Sequence, residues 1–126
     1  ANIFWQGRSR EIHKIMLSSS CLILPSNYEG FGLVLLEAMQ SQLPILGSRK
    51  SSIPEVLGED HPGLFDAEDS TSLTKLMLKV QETSFRNEVL SHQSKRLNFF
   101  DPSKMACAIQ TFYENTLKSS CTQGAA

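Results

Sequence analysis

Cys21-Leu22-Ile23-Leu24-Pro25 is followed by Ser26-Asn27-Tyr28, then by Glu29-Gly30-Phe31-Gly32-Leu33-Val34-Leu35-Leu36-Glu37. The first run is short and continuously apolar, the habit of a strand buried on both faces of a parallel sheet. A loop over 25–32 carries two glycines, and an apolar helix is predicted from about 33 to 42. Strand, glycine-containing loop and helix together bring backbone N–H groups up to a phosphate. The same stretch leaves a carboxylate at each end of the turn, and both need a physical reason.

On either side the alternation continues. Ile3-Phe4-Trp5 reads as a short strand closed by Gly7, with Phe4 and Trp5 in the core. A helix is predicted over about 9–19, with Ile12, Ile15, Met16 and Ser19 at helical spacing. Pro44-Ile45-Leu46-Gly47-Ser48 is the next strand, its proline acceptable at the first position. Ser52 is a candidate N-cap for a short helix through Ile53-Pro54-Glu55-Val56-Leu57. Gly63-Leu64-Phe65 is a brief strand. Asp69 or Ser70 caps a helix over 71–83 with an apolar stripe of Leu73, Leu76, Met77 and Val80. Further helices cover roughly 85–97 and, after Asp101-Pro102-Ser103, the stretch to about 117, with Met105, Ile109, Phe112, Tyr113 and Leu117 inward. The tail from Ser119 reads as disordered. Strands alternating with helices imply crossovers and a parallel sheet of about four strands. The fold class is α/β, a partial Rossmann-like doubly wound sheet with C-terminal helices.

The chain has 126 residues and a formal charge of −1. That length suits one domain and is small for a complete enzyme. The charge balance carries no footprint for nucleic acid. The pairs Arg8/Arg10, Arg49/Lys50 and Lys95/Arg96 read as solvated faces. Cys21, Cys107 and Cys121 are widely spaced and fit neither a disulfide framework nor a zinc site, which points to a reducing, cytoplasmic setting. His13, His61 and His92 are scattered along the chain, so no metal is expected. No stretch reaches the length of a membrane span.

The first turn of the helix after the loop offers unpaired N–H groups at Leu33 and Val34 and the positive end of a dipole. An anion is favoured there, phosphate above all. Glu37 lies in a helix apolar on nearly every side, where an unpaired carboxylate would be costly. It faces much the same way as Leu33, one turn earlier, and the vicinal hydroxyls of a ribose would satisfy both its oxygens. Glu29, in the loop, could bond a polar group beyond the phosphates. The alternative is a solvated Glu29, with Glu37 paired to a lysine or arginine.

The wider pattern is Pro-Ser-x-x-Glu-Gly-Phe-Gly-Leu, Glu-Ala-Met, a Leu-Pro-Ile strand and then Ile-Pro-Glu-Val. It resembles the retaining glycosyltransferases of family 4, over roughly residues 3–80 and most strongly over 25–57. The resemblance implies the second, nucleotide-sugar-binding domain of a GT-B enzyme, here residues 1–118, truncated on its N-terminal side and followed by the tail at 119–126. It implies that Glu29 contacts sugar hydroxyls as a positioning group, and that Glu37 holds the ribose. The amides of Gly30, Phe31 and Gly32 would face the sugar, and those of Leu33 and Val34 the diphosphate. Gly7-Arg8 matches the place where the nucleobase lies. No cofactor or metal is implied, the donor being a UDP-, GDP- or ADP-sugar.

The acceptor (a saccharide, lipid or other molecule) would be bound by an N-terminal domain expected upstream, with a basic Arg/Lys pair for the donor phosphates. The parent would then be cytoplasmic or peripheral to a membrane, and this chain alone inactive. Other readings are a non-catalytic glycosyltransferase-like module acting as a partner subunit, and a sugar-nucleotide epimerase. One departure from the family stands out: Ser41-Gln42 occupies the place of a small residue and a glycine before the strand proline. Gln42 should therefore cost a little stability or be accommodated differently. Phe99 and Phe100 either pack on the last helix or face a missing domain. In the second case an apolar patch is exposed and the fragment self-associates.

Overall fold

A computed structural model describes residues 3–122, with side chains through residue 117. The elements are α1 (Ile12–Leu17), β1 (Leu22–Leu24), α2 (Leu33–Gln40), β2 (Ile45–Ser48), α3 (Ile53–Leu57), β3 (Leu64–Phe65), α4 (Ser70–Lys79), α5 (Thr83–Leu97) and α6 (Pro102–Thr122). A 3-10 turn, Asn98–Phe100, joins the last two helices. The three strands are parallel in the order β1-β2-β3.

The central strand, β2, is buried at every position. Successive side chains of a strand point to opposite faces, and Ile45 and Leu46 duly enter different cores. On one face Ile45 and Leu64 meet Leu35, Ala38 and Met39 of α2 and Ile53, Val56 and Leu57 of α3. On the other, Leu46 and Phe65 meet Val80, which ends α4, and Phe85 and Val89 of α5. Helices on both faces make this a small doubly wound α/β unit. Gly47 allows α3 to approach: a Cβ there would stand 2.8 Å from Ile53 Cγ2 and 2.9 Å from Leu57 Cδ1.

The α5 helix ties the layers together at the start of β2. Buried Gln93 accepts a hydrogen bond from the Ile45 N–H at 3.0 Å and donates to the Leu43 carbonyl at 3.0 Å. Without these bonds, two backbone groups at the start of the central strand would be stranded in an apolar setting.

Four expectations change. Ile3-Phe4-Trp5 forms no strand among the described residues and pairs with nothing there; Trp5 is 95% exposed, not in the core. The sheet therefore has three strands, and β1, at its edge, is only half-buried. The last helix reaches Thr122, past the expected end near 117, while 123–126 of the expected tail lie outside the described residues. Finally, Met105, Ile109, Phe112, Tyr113 and Leu117 are all exposed. Their spacing gives α6 an apolar stripe as expected, but nothing described covers it.

Candidate active site

The loop over 25–32 leaves the carboxyl end of β1, where open α/β sheets receive ligands. It is held from the segment after β2. The Ser48 hydroxyl donates to the Ser26 carbonyl at 2.5 Å. Ser51 and Ser52 both donate to the Glu29 carbonyl, at 2.8 and 3.1 Å. Ser52 is thus no side-chain cap of α3, since its hydroxyl is turned to the loop. On the other side of the loop the Phe31 ring meets Phe100 edge-on, with centroids 5.8 Å apart. The Arg96 guanidinium lies over Phe100 at 5.5 Å and over Phe99 at 5.0 Å. Arg96 also donates to the carbonyls of Glu55 and Val56 at the end of α3.

Arg96 is therefore half-buried and bonded, not part of a solvated face. Phe100 packs on the loop. Phe99, 72% exposed, does not bury itself on α6. The two serines and Phe100 escaped sequence reasoning because the loop residues they meet, Glu29 and Phe31, lie 22 or more residues away. The Ser51-Ser52 doublet ahead of a Pro-containing helix was the only available signal.

Gly32 is the N-cap of α2, with φ 77° in the left-handed region. A Cβ there would lie 3.0 Å from Leu35 Cδ1 and 3.3 Å from Glu29 Cγ. The left-handed backbone favours glycine here, and a side chain would also crowd Leu35 and Glu29. No side chain caps α2. Its first internal bond runs from the Leu35 N–H to the Gly32 carbonyl at 2.8 Å, so the Leu33 and Val34 N–H groups precede any carbonyl of the helix that could receive them. Around Gly30 nothing lies within 4 Å of a Cβ position.

Of the residues predicted for the site, Gly30, Phe31, Leu33 and Glu37 are exposed, Glu29 and Val34 half-buried, and Gly32 buried. Glu37 is the correction. Its helix is buried only through Leu35, Ala38 and Met39, so the carboxylate is not forced into a partnership by burial. Leu33 and Glu37, one turn apart, instead share an exposed face of α2. Gly7 and Arg8 are exposed. A cleft of about 460 Å³ lined by Cys21, Val80 and Arg86 opens at the other end of β1, away from this loop.

The histidines are not all scattered. His61 and His92 meet edge to face with centroids 5.2 Å apart, and His92 Nε2 lies 3.1 Å from Asp60 Oδ1. They flank the start of β3, not the loop. No group of three or more His, Cys, Asp or Glu placed to hold a metal occurs among the described residues. None of the described helices is long and apolar enough to cross a membrane.

Residues 1–97 match the family model described as glycosyl transferases group 1. The chain is 36% identical over 80 residues to a sulfoquinovosyl transferase of Arabidopsis thaliana, an overlap of 58% of this chain and 16% of the relative. It is 29% identical over 119 residues to N-acetyl-alpha-D-glucosaminyl L-malate synthase of Bacillus anthracis, covering 92% of this chain and 31% of that protein. A serotype-specific mannosyltransferase of Escherichia coli is 33% identical over 88 residues, 67% of this chain and 11% of its own length. The chain thus spans less than a third of each relative named here. With a family model matched from residue 1 through 97 and an α/β fold of the corresponding kind, the chain belongs to the glycosyl transferases group 1 family.

Proposed function

We propose that this chain is the donor-binding part of a retaining glycosyltransferase of family 4, acting on a UDP-, GDP- or ADP-sugar. The observation that carries the reading is the start of α2, which no side chain caps, with a half-buried Glu29 just before it and an exposed Glu37 one turn into the helix. The Leu33 and Val34 N–H groups, with the helix dipole, suit the diphosphate. Glu37, one turn on, suits the ribose hydroxyls. The amides of Gly30, Phe31 and Gly32 suit the sugar, which Glu29 positions. As the bond to the diphosphate breaks, negative charge grows on the leaving group, and preorganised N–H donors stabilise it without having to reorient. The relatives' printed activities, all transfers or syntheses with glycosyl groups, support the reaction class.

Acceptor binding belongs to the part of the protein outside this chain. The chain alone is expected to transfer no sugar, since it holds one side of the cleft; transfer by the isolated chain would overturn that. In the full-length protein, Glu37→Ala removes charge-assisted bonds to the ribose and should lower kcat/KM for the donor by roughly 10- to 100-fold. Unchanged donor kinetics in this variant would sink the assignment of Glu37.

A further inference from the structure

We propose that Ser51 and Ser52 are positioning residues that aim the Gly30 N–H group at the sugar of the donor. The inference rests on the nucleotide-sugar reading above and adds two residues to that site. Both hydroxyls converge on one acceptor, the Glu29 carbonyl, at 2.8 and 3.1 Å. A carbonyl oxygen has two lone pairs and can receive both.

That carbonyl and the Gly30 N–H belong to one planar peptide unit, and no peptide bond in the described chain is cis. In a trans peptide the N–H points away from the C=O. Gripping the carbonyl therefore sets the direction of the N–H. Apart from its chain neighbours, nothing lies within 4 Å of a Cβ position on Gly30, and the side chains that bond the carbonyl of this peptide are those of the two serines.

Ser51 itself argues for a role beyond filling the turn. Its φ is 54°, in the left-handed region, where an L-residue is disfavoured and glycine is not. Glycine would satisfy the backbone better. What serine adds is the hydroxyl, and the hydroxyl's partner is the Glu29 carbonyl. Ser48, on the fully buried β2, grips the Ser26 carbonyl in the same way. The loop is thus pinned at its start by Ser48 and at its glycine end by the two serines.

The test compares binding of nucleoside diphosphates with binding of the matching nucleotide sugars in the full-length protein. UDP, GDP and ADP, and UDP-glucose, GDP-mannose and ADP-glucose, are titrated calorimetrically into wild type, Ser51→Gly, Ser52→Ala, the double variant Ser51→Gly/Ser52→Ala, and Ser52→Thr. The diphosphate contacts lie at Leu33 and Val34, so diphosphate affinity should stay within about twofold. Affinity for the nucleotide sugar should fall by about two- to threefold in each single variant and about tenfold in the double one, the scale of lost hydrogen bonds. Ser52→Thr keeps a hydroxyl and should bind as wild type. Ser51→Gly should leave the thermal midpoint unchanged or raise it, because the backbone relaxes.

Equal weakening of both ligand classes would mean that the serines merely hold the loop together, and would overturn the proposal. Unchanged sugar binding in the double variant would also overturn it. If that variant does not fold, Ser51→Gly alone must show the same split between diphosphate and sugar. A wild type that binds none of the three diphosphates would instead overturn the site reading itself.

Discussion

His61 shows how a single buried polar atom couples folding to pH. It is 1% exposed, and its Nδ1 accepts the Gly63 N–H at 3.1 Å. The Gly63 carbonyl in turn receives the Gly47 N–H at 3.1 Å, which aligns β3 beside β2. Burial first, and then the neighbouring His92, lowers the His61 pKa from 6.5 to about 4, with Gln93 and Asp60 pulling the other way. A depressed folded-state pKa means that the neutral ring stabilises the fold above its ordinary 6.5, and that this contribution is lost as pH falls towards 4. Protonation would also turn the Nδ1 acceptor into a donor facing an N–H. The loss should approach about 3 kcal/mol. Urea unfolding at pH 7, 5.5 and 4.5 should show a falling midpoint in wild type and a flatter trend in His61→Gln; parallel trends would refute the coupling. Sequence gave no sign of this site, because the histidine's environment is assembled from α5 and the turn before β3. Glu37 failed in the opposite direction. An all-apolar composition around it suggested burial, yet its own face of α2 is open.

At the scale of elements, local chemistry was far more legible. The end of α2 is a Schellman motif: the Leu43 N–H bonds the Ala38 carbonyl at 2.9 Å and the Gln42 N–H bonds the Met39 carbonyl at 3.1 Å. The position after the cap is the one that glycine normally fills, and Gln42 takes it at φ 52°. The strain expected from Ser41-Gln42 is therefore located in one backbone torsion. Gln42→Gly should stabilise the chain by about 1 kcal/mol, read as a higher denaturant midpoint at unchanged slope; a lower midpoint would show that the glutamine side chain contributes more than the strain removes. The start of α4 was equally plain. Asp69 accepts from the N–H groups of Thr71 and Ser72 at 2.9 and 3.1 Å, and Asp69→Ala should cost about 1 kcal/mol, again by denaturant midpoint. Caps and turns are legible because donor and acceptor lie within a few residues of each other. Strand β1 was legible as a strand from its short apolar run, but the burial on both faces which that run implies was not met, because β1 lies at the edge of the sheet and is only half-buried.

Over the whole molecule, periodicity marks which face of an element is apolar, but not what covers it. The α6 stripe has the spacing of a buried face, and Ile3-Phe4-Trp5 the apolar run of a strand, yet both stand exposed. Met105, Ile109, Phe112, Tyr113 and Leu117 recur at helical spacing, and each is between 47% and 68% exposed. Phe112 and Tyr113 touch only edge-on, with centroids 6.2 Å apart, which removes little of either ring from water. Phe99, in the turn before α6, extends the apolar surface at 72% exposed. A contiguous apolar area of this kind is unusual on a solitary soluble domain, and water favours its burial by any matching surface. In a solution of the isolated chain the surface present at the highest concentration is another copy. Sedimentation velocity should therefore show association that grows with protein concentration. Ile109→Lys with Phe112→Lys, both at solvent-facing positions of α6, should restore a monomer without lowering the unfolding midpoint by more than about 0.5 kcal/mol. A wild type that stays monomeric throughout the concentration series would rule out α6 as an associating face.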